Sequence, residues 1–118
     1  MDRDKFERML QELQEAELGI SRTKGKEYVK NDVDVLRNFK EAAAFLDVTP
    51  EQVCVLYMYK HFSALVSNSG ATVLLDCSEP IRSRVVDLRL YAALFLALYE
   101  EAEEAYQYKM TRAEEEKL

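Results

Sequence analysis

Phe6, Met9, Leu10 and Leu13 fall at i, i+3, i+4 and i+7, one stripe of a helix, and predict a first helix from about Arg3 to Ile20. The polar run that follows, SRTKGKEYVKNDVD (residues 21–34), holds Gly25 and keeps neither the helical nor the strand period, so it reads as a loop. Leu36, Phe39, Ala43 and Leu46 then share a face and predict a second helix from about Val35 to Leu46. The sharpest punctuation in the chain is Asp47-Val48-Thr49-Pro50-Glu51-Gln52. Thr49 suits an N-cap, Pro50 the first helical position, and Gln52 can close a capping box, so a third helix starts at Pro50 and reaches about Val66.

The stretch SNSGATVLLDCSEP (residues 67–80) is a second linker. Thr72 to Leu75 is apolar enough for a strand but has no partner strand, so it too reads as loop. Ser78, with Pro80 two residues on, opens a fourth helix, and no helix breaker appears from Ile81 to the C-terminus. Ile81, Val85, Leu88, Ala92, Phe95 and Tyr99 alternate by four and three residues and are expected to form its core stripe. Past Tyr99 the apolar stripe thins to Ala102, Ala105, Tyr106 and Met110, which must lie on a partner subunit, on the first helix, or in solvent. The expectation is an all-α, four-helix bundle-like single domain with a long C-terminal helix: a core over residues 3–99 and an acidic helical extension over 100–118. The extension suggests a homo-oligomer through the C-terminal helix.

Composition narrows the function classes. The chain has 118 residues, 48% hydrophobic and 32% charged, with 3 Gly and 2 Pro. That much apolar material excludes global disorder, and so few turn residues exclude a β-sandwich. The net charge is −6, with Glu100, Glu101, Glu103, Glu104 and Glu114 to Glu116 at one end and Arg22, Lys24, Lys26, Lys30, Arg37 and Lys40 in the 22–40 segment. An acidic whole argues against broad nucleic-acid binding but leaves a local site for a small anion such as a nucleotide phosphate. Cys54 and Cys77 are the only cysteines; with no secretory signal at Met1-Asp2-Arg3-Asp4-Lys5, they suggest the reducing cytoplasm. No C-x-x-C pair is present, so no metal is expected. The longest apolar run, Leu90 to Tyr99, is about half the roughly 20 residues that span a bilayer, so no membrane is expected.

Two places can carry chemistry. Lys60 and His61, the latter the only histidine, sit side by side in the third helix. Either their stems pack while their heads stay wet, or they face a ligand. In the fourth helix Arg84 and Asp87 are i, i+3 and Asp87 and Tyr91 are i, i+4, spacings at which side chains meet. They read either as an intrahelical ion pair with a hydroxyl neighbour or as a binding group. Glu79 and Asp87 are two turns apart, roughly 12 Å, too far to clasp one magnesium ion together. Arg22, Lys24 and Lys26 flank Gly25, where a loop would bring backbone N–H groups to a phosphate, and Tyr28 or Tyr57 could stack on a base.

The order SRTKGKEY (Ser21 to Tyr28), Asp34, Asn38-Phe39, then Tyr59-Lys60-His61, then Ser78-Glu79-Pro80-Ile81 with Arg84, Asp87 and Tyr91, resembles the phage-associated nucleotide-modification-associated domain 1 family over about Ile20 to Leu98. Those are small all-α proteins of phages and prophages, proposed to act around modified-nucleotide metabolism. The resemblance implies a nucleotide-facing site of Arg22, Lys24, Tyr28, Asn38, Lys60, His61, Glu79, Arg84 and Asp87, in a host cell's cytoplasm. Arg82 and Ser83 stand where that family tends to carry further acids. This weakens a metal-dependent pyrophosphatase and favours binding over hydrolysis. The competing expectation is a non-enzymatic anti-defence protein that sequesters a signalling nucleotide or covers a host protein.

Overall fold

The computed structural model describes the backbone of residues 1–28, 34–70 and 81–118, and their side chains save those of 24–28. It is all-α, with helices α1 (Arg3–Tyr28), α2 (Arg37–Leu46), α3 (Pro50–Ser69) and α4 (Ile81–Glu116) and no strand among the described residues. Thr49 caps α3 as its sequence predicts: its hydroxyl accepts from the Gln52 amide at 3.1 Å, while the Gln52 side chain accepts from the Thr49 amide at 2.9 Å. Two of the amide donors orphaned at the helix start are satisfied reciprocally, with Pro50 supplying no donor at all. α2 ends where Asp47 turns left-handed at φ 56° and the Val48 amide donates back to the Ala43 carbonyl.

Three boundaries differ from the sequence expectation. α1 does not stop at Ile20 but continues to Tyr28, so residues 21–28 are helix, not loop. Arg22, Lys24, Lys26 and Glu27 are good helix formers, and together they outweigh the roughly 1 kcal/mol cost of Gly25. Thr23 supports the run by donating its hydroxyl to the Gly19 carbonyl one turn back. α3 likewise runs past Val66 to Ser69, where Asn68 and Ser69 donate side-chain hydrogen bonds to the Ala64 and Val66 carbonyls. α2 begins at Arg37 rather than Val35. The expected loop over 72–75, the Ser78 start and Cys77 lie outside the described residues.

The core sits where α2, α3 and α4 meet. Leu36, Phe39 and Ala43 of α2 and its approach, Val53 and Cys54 of α3, and Leu98 of α4 are buried together, with Met58, Tyr91, Leu94 and Phe95 packed around them. Leu46, expected on the same α2 face, is exposed. α3 and α4 run antiparallel, since His61 lies beside Arg84 while Cys54 lies beside Tyr91. α1 packs on the other flank of α4, and among the described residues it packs on no other helix. The ion pairs Arg82–Glu12 at 2.8 Å and Arg89–Glu17 at 3.1 Å climb both helices together, so α1 and α4 run parallel.

This placement corrects the core stripe of α4. The buried positions are Val86 and Leu98, whereas Ala92 and Tyr99 of the expected stripe are exposed. The cause is that α4 is contacted from two directions, so its apolar residues divide between an α3 face and an α1 face. The expected stripe lies between them: Ile81, Val85, Leu88 and Phe95 are partly buried, Phe95 against the core, while Ala92 and Tyr99 face out.

α4 is about 54 Å long at 1.5 Å per residue. From Tyr99 onward every residue is exposed. The radius of gyration is 18.5 Å, against about 13–14 Å for a compact domain of this length, because this end of α4 projects past the core. No helix among the described residues is long and apolar enough to cross a membrane.

One polar tie anchors α2 against the base of this projection. Asp34 accepts from the Leu36 amide at 3.0 Å and from the Lys40 ammonium at 2.8 Å, and Lys40 also reaches Glu101. Lys40, and next the Leu36 amide, hold the Asp34 carboxyl below its usual value; Asp34 and then Glu101 raise Lys40 above its own. A lowered acid stabilises the fold above its unfolded pKa of 3.8 and loses that contribution as pH falls through its folded value. A raised lysine contributes below 10.5 and loses it as pH climbs through its folded value. Wild type is therefore expected to exceed Asp34→Asn in urea stability by about 0.5–1 kcal/mol at neutral pH, since these groups are over a third exposed. The gap should close below pH 3.8 and shrink with salt.

Candidate functional site

α3 and α4 bring a polar cluster together at the N-terminal end of α4. His61 falls one turn after Tyr57 on α3, and Arg84, Asp87 and Tyr91 fall at successive turns of α4, so the antiparallel pair sets the two rows face to face. His61 is 7% exposed, the only buried polar side chain among the described residues. Arg84 Nη1 lies 3.4 Å from His61 Nδ1, a guanidinium donor facing a ring nitrogen. This is a long hydrogen bond. Asp87 Oδ2 is 3.9 Å from the same nitrogen, an electrostatic neighbour rather than a hydrogen-bond partner.

Aromatic rings complete the wall. His61 stacks on Tyr91 with centroids 5.5 Å apart, and Tyr91 stacks on Tyr57 at 5.4 Å with planes within 7°. Phe39 sets its edge against both tyrosines at 6.2 and 6.3 Å, the T-shaped geometry the ring quadrupoles favour. Tyr57 keeps 45% of its surface exposed, so the row grades from a dry histidine to a wet phenol. The arrangement sets a guanidinium beside an exposed aromatic edge, that of Tyr57.

Nucleophilic catalysis finds no support here. Cys54 is fully buried, donates its S–H to the Tyr91 carbonyl at 3.3 Å, and has its pKa pushed up to about 11 by burial and then by Glu51. A protonated, enclosed thiol is a packing group. Ser63, two residues beyond His61, is turned about 200° round the helix from it. Among the described residues no group of three or more His, Cys, Asp or Glu side chains could hold a metal ion.

Of the sequence-predicted site residues, the structure gathers His61, Arg84 and Asp87. Lys60 is exposed and turned about 100° from His61, so the side-by-side pair does not act as a unit. Asn38 is exposed on α2, and Arg22 is exposed on α1, beyond the Glu17–Arg89 contact on the other flank of α4. Lys24 and Tyr28 are on the last turns of α1, where a helical backbone already uses its amides, so a loop cradling phosphate there is ruled out. The side chains of both, and Glu79, lie outside the described residues. Tyr91, read from the sequence only as a flank residue, is the hub of the cluster. The signal lay in the matched i, i+4 spacings Tyr57–His61 and Asp87–Tyr91, which place ring and charge at equal heights on antiparallel helices.

The fold and cluster define an all-α protein with a polar and aromatic side-chain cluster between two antiparallel helices. No protein-family model, no curated protein and no solved structure matches the chain.

Proposed function

We propose that this chain is a phage or prophage protein that binds a nucleotide or nucleotide-derived small molecule between α3 and α4, without a dedicated catalytic group. The observation that carries the reading is the gathering of Arg84, His61 and Asp87 against the stacked pair Tyr57–Tyr91. Arg84 meets a phosphate oxygen and the exposed part of Tyr57 meets the base. Asp87 accepts from a ribose hydroxyl or base amine and disfavours inorganic phosphate alone. The resemblance to the phage nucleotide-modification-associated family supports the same ligand class and a role in modified-nucleotide metabolism in the host cytoplasm.

A second reading is favoured by the exposed acidic end of α4. There the protein acts as an anti-defence factor, sequestering a signalling nucleotide or covering a host protein. Self-association through that same end belongs to either reading. Small molecules released by heat from purified protein, identified by mass spectrometry, test the ligand class. A nucleotide recovered in stoichiometric amount and unchanged on incubation is the expected result; a host protein co-purifying with no nucleotide would favour the second reading instead.

A further inference from the structure

α3 carries a second regular stripe that no other helix among the described residues covers. Val55, Tyr59, Phe62 and Val66 are spaced by four, three and four residues, and their exposures run from 49% at Val55 to 64% at Tyr59. Each of the first three directly follows a core-facing residue, Cys54, Met58 or His61. On α4 the exposed Leu96 and Tyr99 likewise follow Phe95 and Leu98, which belong to the core. One residue turns a helix by about 100°. Because α3 and α4 are antiparallel, equal steps past their interface turn both stripes toward the same side of the pair. Val53 and Tyr57, which meet α2, lie about half a turn from Val55 and Tyr59. The two stripes therefore form one apolar face on the side of the pair opposite α2.

We infer that a second copy of this chain covers that face, pairing α3 and α4 of one protomer with the same helices of the other. The area is right for it. Six half-exposed side chains at roughly 100 Å² each, joined by Tyr106 and Met110 further along α4, expose on the order of 800 Å². That equals what each partner buries in a stable interface of about 1,600 Å² total, and exceeds the roughly 300–600 Å² patch that monomers leave open. Length points the same way. The apolar face extends along α4 from Leu96 to Met110, past the end of the core, and the chain's other helices are already committed to α2–α3 and α1–α4 contacts. Another copy carries a face of the same length and chemistry, and a two-fold axis makes that face self-complementary.

This inference rests on the self-association reading of α4 and not on any bound nucleotide. Light scattering of the full chain without added ligand is expected to give twice 13.7 kDa. Phe62→Glu and Tyr59→Glu should each raise the dissociation constant at least tenfold while leaving helical content unchanged, because both side chains are outside the core. A wild type of 13.7 kDa at all concentrations overturns the dimer. A dimer that survives both α3 substitutions but is lost in Tyr106→Glu keeps self-association through the end of α4 and overturns the shared face.

Discussion

Phe39→Ala is expected to cost about 3–5 kcal/mol of folding stability, the largest effect of any single truncation in the molecule. Phe39 is 6% exposed and is the one side chain that meets two tyrosines from two different helices. Its removal leaves a cavity at the junction of α2, α3 and α4 and deletes two edge-to-face contacts. α2 contributes only ten residues, with Phe39 and Ala43 its buried side chains, so the truncation removes most of its hold on the core. Against a total of about 5–15 kcal/mol for a domain, that loss is a large fraction, and the melting temperature should fall by more than about 10 °C. Phe45→Ala is the control: the same chemistry at a side chain 89% exposed should change stability by less than about 0.5 kcal/mol. Equal losses in the two variants would show that the core is not where the three helices meet.

The second large effect is on binding. Arg84→Gln is expected to weaken nucleotide affinity at least about tenfold, or ~1.4 kcal/mol, because a hydrogen bond from a charged donor is worth about 1.5–3 kcal/mol. Glutamine retains a donor toward His61 Nδ1, so the α3–α4 contact survives and the melting temperature should shift by only a few degrees. Lys60→Ala, one position from His61 but facing solvent, should leave affinity within about twofold. The contrast matters because sequence alone assigns Lys60 and His61 the same weight.

How far the sequence carries can be seen at those two residues. Helical periodicity placed α1, α2 and α4, and the Thr49 capping box placed the start of α3 to the residue, because these signals are local. Neighbours in sequence, however, are 100° apart on a helix, so the Lys60-His61 pair had to split, with only one of them reaching the cluster. The Arg84–Asp87–Tyr91 row was legible as a row, but whether it faced solvent or α3 depended on the rotation of α4. That rotation is set by contacts with both α1 and α3, which no window of one helix contains. The strongest apolar repeat in α4 held only in part for the same reason: it lies between the two packing directions, so Phe95 meets the core while Ala92 and Tyr99 face out. The α1 extension over residues 21–28 was hidden by Gly25 and the lack of an apolar stripe, although its arginine, lysines and glutamate are good helix formers.

The most direct measurement is calorimetric titration of wild type and Arg84→Gln, side by side, with nucleoside mono-, di- and triphosphates. Saturable heat from at least one of them in wild type, weakened tenfold or more in the variant at unchanged fold, is the predicted result. No heat from any nucleotide in wild type, or an identical affinity in the variant, would contradict a nucleotide site built on the α3–α4 cluster.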